Sequence, residues 1–282
     1  MRGDGNKIGE YGYLYLIDTE AKDIICTKVP IKWGPKEDYK GHSFGVRGLC
    51  KVGGHLFVAD SSNIVHIFDT ISFKVIDSFS VNGVVDIHQI VEHSGLVYIA
   101  SCGNDSIVVL DKDIVVDEVS LVGYTHILEA AGIKIDVPLG RGALHFNSIC
   151  FDGETELNLY SSVGTVFDRT HEQVLFHSAA LISPHDLLPF NGGLFINNSN
   201  MCETLFVLEG KLEIVFKSST TEMYTGYNKP GYTRGLCRDN NSLFIGTSPV
   251  ILSEIDISTY EHLNSFLVSC DPNEIIYDMC IV

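Results

Sequence analysis

Arg47, His88, Asn147, His185, Arg234 and Tyr277 share one sequence context. Each precedes a small or polar residue and then two apolar ones, as in Arg47-Gly-Leu-Cys, His88-Gln-Ile-Val and Arg234-Gly-Leu-Cys. His145 stands two residues before Asn147. Neutral imidazoles are ligands for zinc, iron or copper, and three of them leave positions open for water or substrate. Brought together, His88, His145 and His185 would hold one divalent metal ion, zinc first, with iron or copper as alternatives. Arg47 and Arg234 would orient a small anionic substrate, because a guanidinium offers parallel N–H donors to carboxylate or phosphate. Asn147 and Tyr232 complete the expected substrate contacts. Asp186 and Tyr277 are the expected groups for moving protons, and Asp86 and Asp278 flank the same positions. Without a metal, the same side chains would form a hydrogen-bonded ring around trapped water.

These residues recur because the chain repeats. Six short hydrophobic runs end in an acid, at Asp18, Asp69, Asp111, Asp168, Glu209 and Asp256, at intervals of 41–57 residues. Such a period marks a repeat architecture. Each unit holds short runs rich in Val, Ile, Leu, Phe and Tyr between Gly, Asn, Asp and Ser, the pattern of antiparallel strands joined by turns. The second unit predicts strands at 47–52, 55–59, 63–68 and 73–80, and the third at 87–91, 96–100, 106–110 and 114–122. Four strands per unit is the β-propeller blade. The expectation is an all-β, six-bladed propeller of four-stranded antiparallel blades, one domain over 1–282. Its C-terminal strand, Ile275 to Val282, closes the ring by joining the N-terminal blade around Tyr11 to Trp33. The recurrent acids belong to turns and carry no catalytic role.

Three loops interrupt the even spacing: 34–46 with Tyr39 and His42, 123–144 with a helical turn predicted at His126 to Ala131, and 218–233 with Tyr224, Tyr227 and Tyr232. All three are expected on the face where the six register residues sit. Gly140-Arg141-Gly142 is too short for a phosphate loop. The Ser, His and Asp of Ser183-Pro184-His185-Asp186 are neighbours on one strand and do not make a triad.

Composition narrows the function. The formal net charge of −17 repels phosphate backbones and anionic membranes, so neither nucleic acid nor membrane is an expected partner. No apolar run approaches the length of a bilayer span. The N-terminus lacks the apolar core of a signal peptide, so the expected location is cytoplasmic. The 8 cysteines include no Cys-x-x-Cys pair, which argues against a thiolate zinc site. Cys50, Cys150, Cys237 and Cys280 fall three residues after register positions and read as small buried apolar groups.

The strand pattern resembles the six-bladed propellers that include the NHL-repeat proteins, the gluconolactonase-like enzymes and the peptidyl-hydroxyglycine amidating lyase. The lyase resemblance implies an axial zinc on three inner-strand histidines, here His88, His145 and His185, with arginine and tyrosine nearby, here Arg47, Arg234 and Tyr277. The gluconolactonase resemblance implies calcium on carboxylate and Asn ligands, of which Asn147 alone matches. The expected function is a metal-dependent enzyme acting on a small anion at the axis, by lyase or hydrolase chemistry. The alternatives are a non-catalytic scaffold binding a protein or peptide and an iron- or copper-dependent oxidoreductase.

Overall fold

The computed structural model describes residues 11–19, 29–32, 45–135, 142–218, 231–248, 250–269 and 274–282. Loop residues 34–44, 136–141 and 219–230, with Tyr39, His42, Arg141, Tyr224 and Tyr227, lie outside the described residues. The N-terminal unit contributes β1 (Tyr11–Leu14) and β2 (Val29–Lys32), paired antiparallel. Five four-stranded antiparallel blades follow. Blade one is β3 (Val46–Val52), β4 (His55–Asp60), β5 (Ile64–Asp69) and β6 (Val75–Ser80). Blade two is β7 (Ile87–His93), β8 (Leu96–Ser101), β9 (Ser106–Asp111) and β10 (Ile114–Ser120). Blade three is β11 (Phe146–Asp152), β12 (Thr155–Tyr160), β13 (Thr165–Asp168) and β14 (Gln173–His177). Blade four is β15 (Pro184–Phe190), β16 (Gly193–Asn198), β17 (Glu203–Leu208) and β18 (Lys211–Lys217). Blade five is β19 (Thr233–Asp239), β20 (Ser242–Thr247), β21 (Val250–Asp256) and β22 (His262–Ser269). In every blade the strands neighbour one another in chain order.

The core is a series of interfaces between adjacent blades. Cys50, Phe57 and Val65 of blade one interlock with Ile87, Ile90 and Ile99 of blade two. Cys150, Leu157 and Leu159 of blade three meet Leu187, Leu194 and Ile196 of blade four. Both cysteines fill space as apolar groups, and burial pushes their thiols well above the ordinary range. Inner strands approach closely: a Cβ at Gly48 would lie 2.5 Å from the Ile90 backbone nitrogen. Gly48→Ala must therefore push β3 away from β7. It is expected to cost about 1–3 kcal/mol in denaturant unfolding, and an unchanged midpoint would contradict this packing.

The position after each register residue ties one blade to the next. Gln89 Oε1 accepts from Ser148 Oγ and from the Ile149 backbone N–H, both at 2.8 Å. Asp186 Oδ2 accepts from the Gly235 N–H at 2.9 Å. Asp278 Oδ2 accepts from the Leu49 N–H at 3.0 Å, which carries the same device from the C-terminal segment to blade one. Met279 packs on the Phe244, Leu252 and Phe266 cluster of blade five, and Cys280 on the Leu56, Val58 and Phe68 cluster of blade one.

Among the described residues the chain therefore forms five four-stranded blades, not six. The sixth sector holds the β1–β2 pair and residues 274–282, which carry no strand pairing among the described residues. The C-terminal segment meets the N-terminal one through side chains, such as Tyr15 Oη to Glu274 Oε2 at 2.6 Å, rather than by a ladder. The physical reason lies in the sequence: the N-terminal unit has no second run of the Leu-Phe-Val type to build a middle strand.

The remaining local readings follow turn chemistry. Asp69 accepts from the Ser72 N–H, Asp168 from the His171 N–H, and Asp256 from the Ser258 and Thr259 N–H groups. The Ser72 hydroxyl, with these backbone bonds, holds the Asp69 carboxyl below the usual range, and the Thr259 and Ser258 N–H groups hold that of Asp256 there. A 3-10 turn (Leu121–Tyr124) and helix α1 (Thr125–Ala130) occupy the predicted helical stretch. Among the described residues no helix is long and apolar enough to cross a membrane.

Candidate functional site

A β-bulge in each inner strand aims the register residue. Val46 pairs with Asp60 and Gly48 with Ala59, leaving Arg47 over. Ile87–Ser101 and Gln89–Ala100 leave out His88, and Phe146–Tyr160 and Ser148–Leu159 leave out Asn147. In blade four the slip follows His185, and in blade five it spans Arg234 and Gly235. A bulge frees a residue from the ladder and re-aims its side chain.

His88 and His145 meet, with ring centroids 5.2 Å apart. Cys102 joins them: its Sγ lies 3.5 Å from His145 Nδ1, and one ligand atom from each of His88, Cys102 and His145 falls within 4.8 Å of the others. His145 does not reach this place by strand alternation. It precedes β11 with φ of 46°, in the left-handed region, and the turn swings its ring toward blade two. It is the solvent-accessible member of the three, whereas His88 and Cys102 are buried.

His88 Nδ1 lies 3.2 Å from the Asp86 carbonyl oxygen. That oxygen only accepts, so Nδ1 keeps its proton and Nε2 carries the free lone pair. His185 repeats the device against the Ser183 carbonyl at 2.9 Å. Ser199 Oγ at 2.9 Å and the Tyr232 hydroxyl at 3.3 Å also crowd its Nδ1. His185 is thus pinned in blade four and stands outside the His88–Cys102–His145 group. Tyr232, expected on a mobile substrate, is buried and holds this imidazole.

The arginines set the electrostatics. Arg47 pairs with Asp86, Nη2 to Oδ1 at 3.2 Å. Both guanidiniums lie on the Tyr277 ring, Arg47 at 4.7 Å and Arg234 at 4.2 Å from its centroid. Arg234 is 7% exposed, yet it makes no hydrogen bond or ion pair to any described residue, and its Nε is buried without an acceptor. Asn147 donates Nδ2 to the Pro184 carbonyl at 3.0 Å, and its buried Oδ1 has no donor among the described residues. Asp186 Oδ2 is committed to Gly235 and to Asn197 Nδ2, so this carboxyl holds blades four and five together. Burial pushes the carboxyls of Asp186 and Asp278 upward, against the pull of Arg234.

Burial, reinforced by the arginines, holds His88 and His185 well below the ordinary imidazole range. Their nitrogen resonances are expected to stay at neutral-ring shifts from about pH 8 to about pH 5, across the ordinary value near 6.5. A mid-range titration of either ring would contradict this. The unfolded chain takes up these protons below about pH 6.5 and the folded chain does not, so both rings cost stability as pH falls. Asp186 and Asp278 act with the opposite sign, because there the folded chain holds the extra proton.

Cys102 is the residue that reading the cysteines by register alone overlooks. The signal is present. The position just after the second strand is Ser61, Cys102, Ser161, Ser199 and Ser248 in the five blades, all buried. One thiol in a ring of hydroxyls marks the blade whose neighbour supplies His145. A cavity of about 610 Å³ lies between the N-terminal residues 12–19, blades one and five and the C-terminal segment, with Tyr277 in its wall.

No family model matches the sequence, and no curated protein matches it either. Solved structures do match in fold. A protein of unknown function from Bacteroides caccae aligns with a TM-score of 0.58 at 14% identity, covering 89% of each chain. A chain of a nidogen/laminin complex aligns with a TM-score of 0.55 at 10% identity, covering 78% of this chain and 79% of that one. A streptogramin B lyase reaches a TM-score of 0.48 at 15% identity, covering 76% and 69%, too loose a likeness to bear on function. At these identities the likeness extends to the propeller architecture alone.

Proposed function

We propose that the protein is a metal-dependent enzyme that binds a small anion at the propeller axis and acts by lyase or hydrolase chemistry. The observation that carries the reading is Arg234: a residue 7% exposed whose Nε is buried without an acceptor among the described residues, near a group of metal-ligating side chains. A buried ion without a partner is costly, and folded proteins retain one where a ligand completes it. A scaffold binding a partner through its loops leaves this arginine unexplained.

The donor set His88, Cys102 and His145 suits zinc, with nitrogen and sulfur ligands. His88 offers a neutral Nε2, its ring oriented by the Asp86 carbonyl. Burial holds the proton on the Cys102 thiol, so a cation must displace it to bind there. The metal would supply Lewis-acid polarisation of the substrate. The protein's own groups do the rest. Arg234 and Arg47 orient the anion, and the Tyr277 hydroxyl moves the proton. Asp186 keeps the inner strands of blades four and five in place. The six described cysteines are free thiols, and we place the protein in the cytoplasm, where thiols stay reduced. The test is metal analysis of the purified protein by mass spectrometry. About one zinc per chain supports the reading, and no zinc, even after reconstitution, removes it.

A further inference from the structure

The orphaned polar atoms at the axis say more than that the ligand is an anion. Arg234 offers N–H donors with no described acceptor, and Asn147 Oδ1 is an acceptor with no described donor. The Asn147 amide is not open to reversal, because its Nδ2 donates to the Pro184 carbonyl. His185, on the blade between them, holds its proton on Nδ1 against the Ser183 carbonyl and so presents a second acceptor at Nε2. A ligand that satisfies this set must accept from a guanidinium and donate to a neutral oxygen or nitrogen. An ammonium group as the donor is disfavoured, because the Arg47 and Arg234 guanidiniums on the Tyr277 ring already place two positive charges there.

We propose that the site takes a tetrahedral oxyanion that keeps one proton, inorganic hydrogen phosphate; this rests on the anion reading above. The oxygen count decides the class. Two oxygens meet the fork of Arg234, one protonated oxygen donates to Asn147 or His185, and one remains for the metal group. A carboxylate has two oxygens in all. Sulfate has four but carries no proton near neutral pH, so it leaves Asn147 Oδ1 unpaired, the error that buried polar sites reject most strongly.

Calorimetric titration of the purified protein with inorganic phosphate, methyl phosphate and sulfate tests this. Phosphate is expected to bind at least about tenfold tighter than sulfate. Methyl phosphate, which has three free oxygens and mostly no proton near neutral pH, is expected to bind more weakly than phosphate, and equally tight binding contradicts the four-oxygen fit. Asn147→Ala is expected to bring phosphate down to the affinity of sulfate and leave sulfate unchanged. Should the alanine variant fail to fold, the ratio of phosphate to sulfate affinity in the unmodified protein decides the proposal by itself. Equal binding of phosphate and sulfate by the unmodified protein overturns this proposal and leaves the anion reading standing. Binding of none of the three overturns this proposal, and loss of stability in Arg234→Met overturns the anion reading itself.

Discussion

Arg234→Met is expected to stabilise the ligand-free protein by about 1–3 kcal/mol and to abolish anion binding. Most arginine substitutions at buried positions destabilise, because they leave a carboxylate behind. Here no carboxylate pairs with the guanidinium among the described residues. The cost of holding an ion out of water is several kcal/mol after relaxation. Its compensation is the contact with the Tyr277 ring at 4.2 Å, worth about 2 kcal/mol when desolvated. Methionine keeps the stem volume, packs on the same ring and needs no acceptor. Asp186 and Asp278 lose a favourable charge, which opposes the upward push of burial on both carboxyls and sets the lower end of the expected gain. Denaturant midpoints without added anion and calorimetry with phosphate measure the two halves. A loss of about 3–5 kcal/mol, the cost of breaking a buried ion pair, would show that Arg234 is partnered in the resting protein and would end the anion reading.

What the sequence disclosed follows from which interactions are local. Strand period and turn chemistry are encoded within a few residues. The strands of blades one and two therefore agree with the predicted ranges to within about two residues at their ends, as element boundaries usually do. The register of Arg47, His88, Asn147, His185 and Arg234 is equally local, because each sits at the bulge of an inner strand. The number of blades is not local. It depends on whether two chain ends can build a sheet together, and β1, β2 and the C-terminal segment do so only in part. The composition of the metal group is not local either. It joins the end of a second strand in blade two to a left-handed residue entering blade three, and φ at His145 cannot be read from strand alternation. His185 shares the register of His88, but Ser199 and Tyr232, from other strands and loops, claim its Nδ1.

Two substitutions separate the histidine triad of the sequence from the mixed group of the structure. Cys102→Ser removes the sulfur ligand with a near-isosteric hydroxyl, the residue that four other blades already carry at this position, so the fold is expected to tolerate it. It should lower zinc affinity by at least about a hundredfold, more than the ten- to hundredfold lost with a supporting residue alone. His185→Gln should leave zinc affinity within a few-fold of the unmodified protein, because His185 stands outside the His88–Cys102–His145 group. His88→Ala should abolish uptake in either scheme and serves as the control. Cobalt reports the same distinction by colour: a thiolate-to-metal charge-transfer band should be present in the unmodified protein and His185→Gln, and absent from Cys102→Ser. The opposite pattern, with His185→Gln losing metal and Cys102→Ser keeping it, would restore the all-imidazole centre, with His185 binding through the Nε2 that its Nδ1 contacts leave free. A thiolate in the set would also bring one negative charge to the group. The bound cation would then carry a smaller net charge, and Arg47 and Arg234 would supply more of the attraction for the anion, which is the arrangement their burial beside Tyr277 favours.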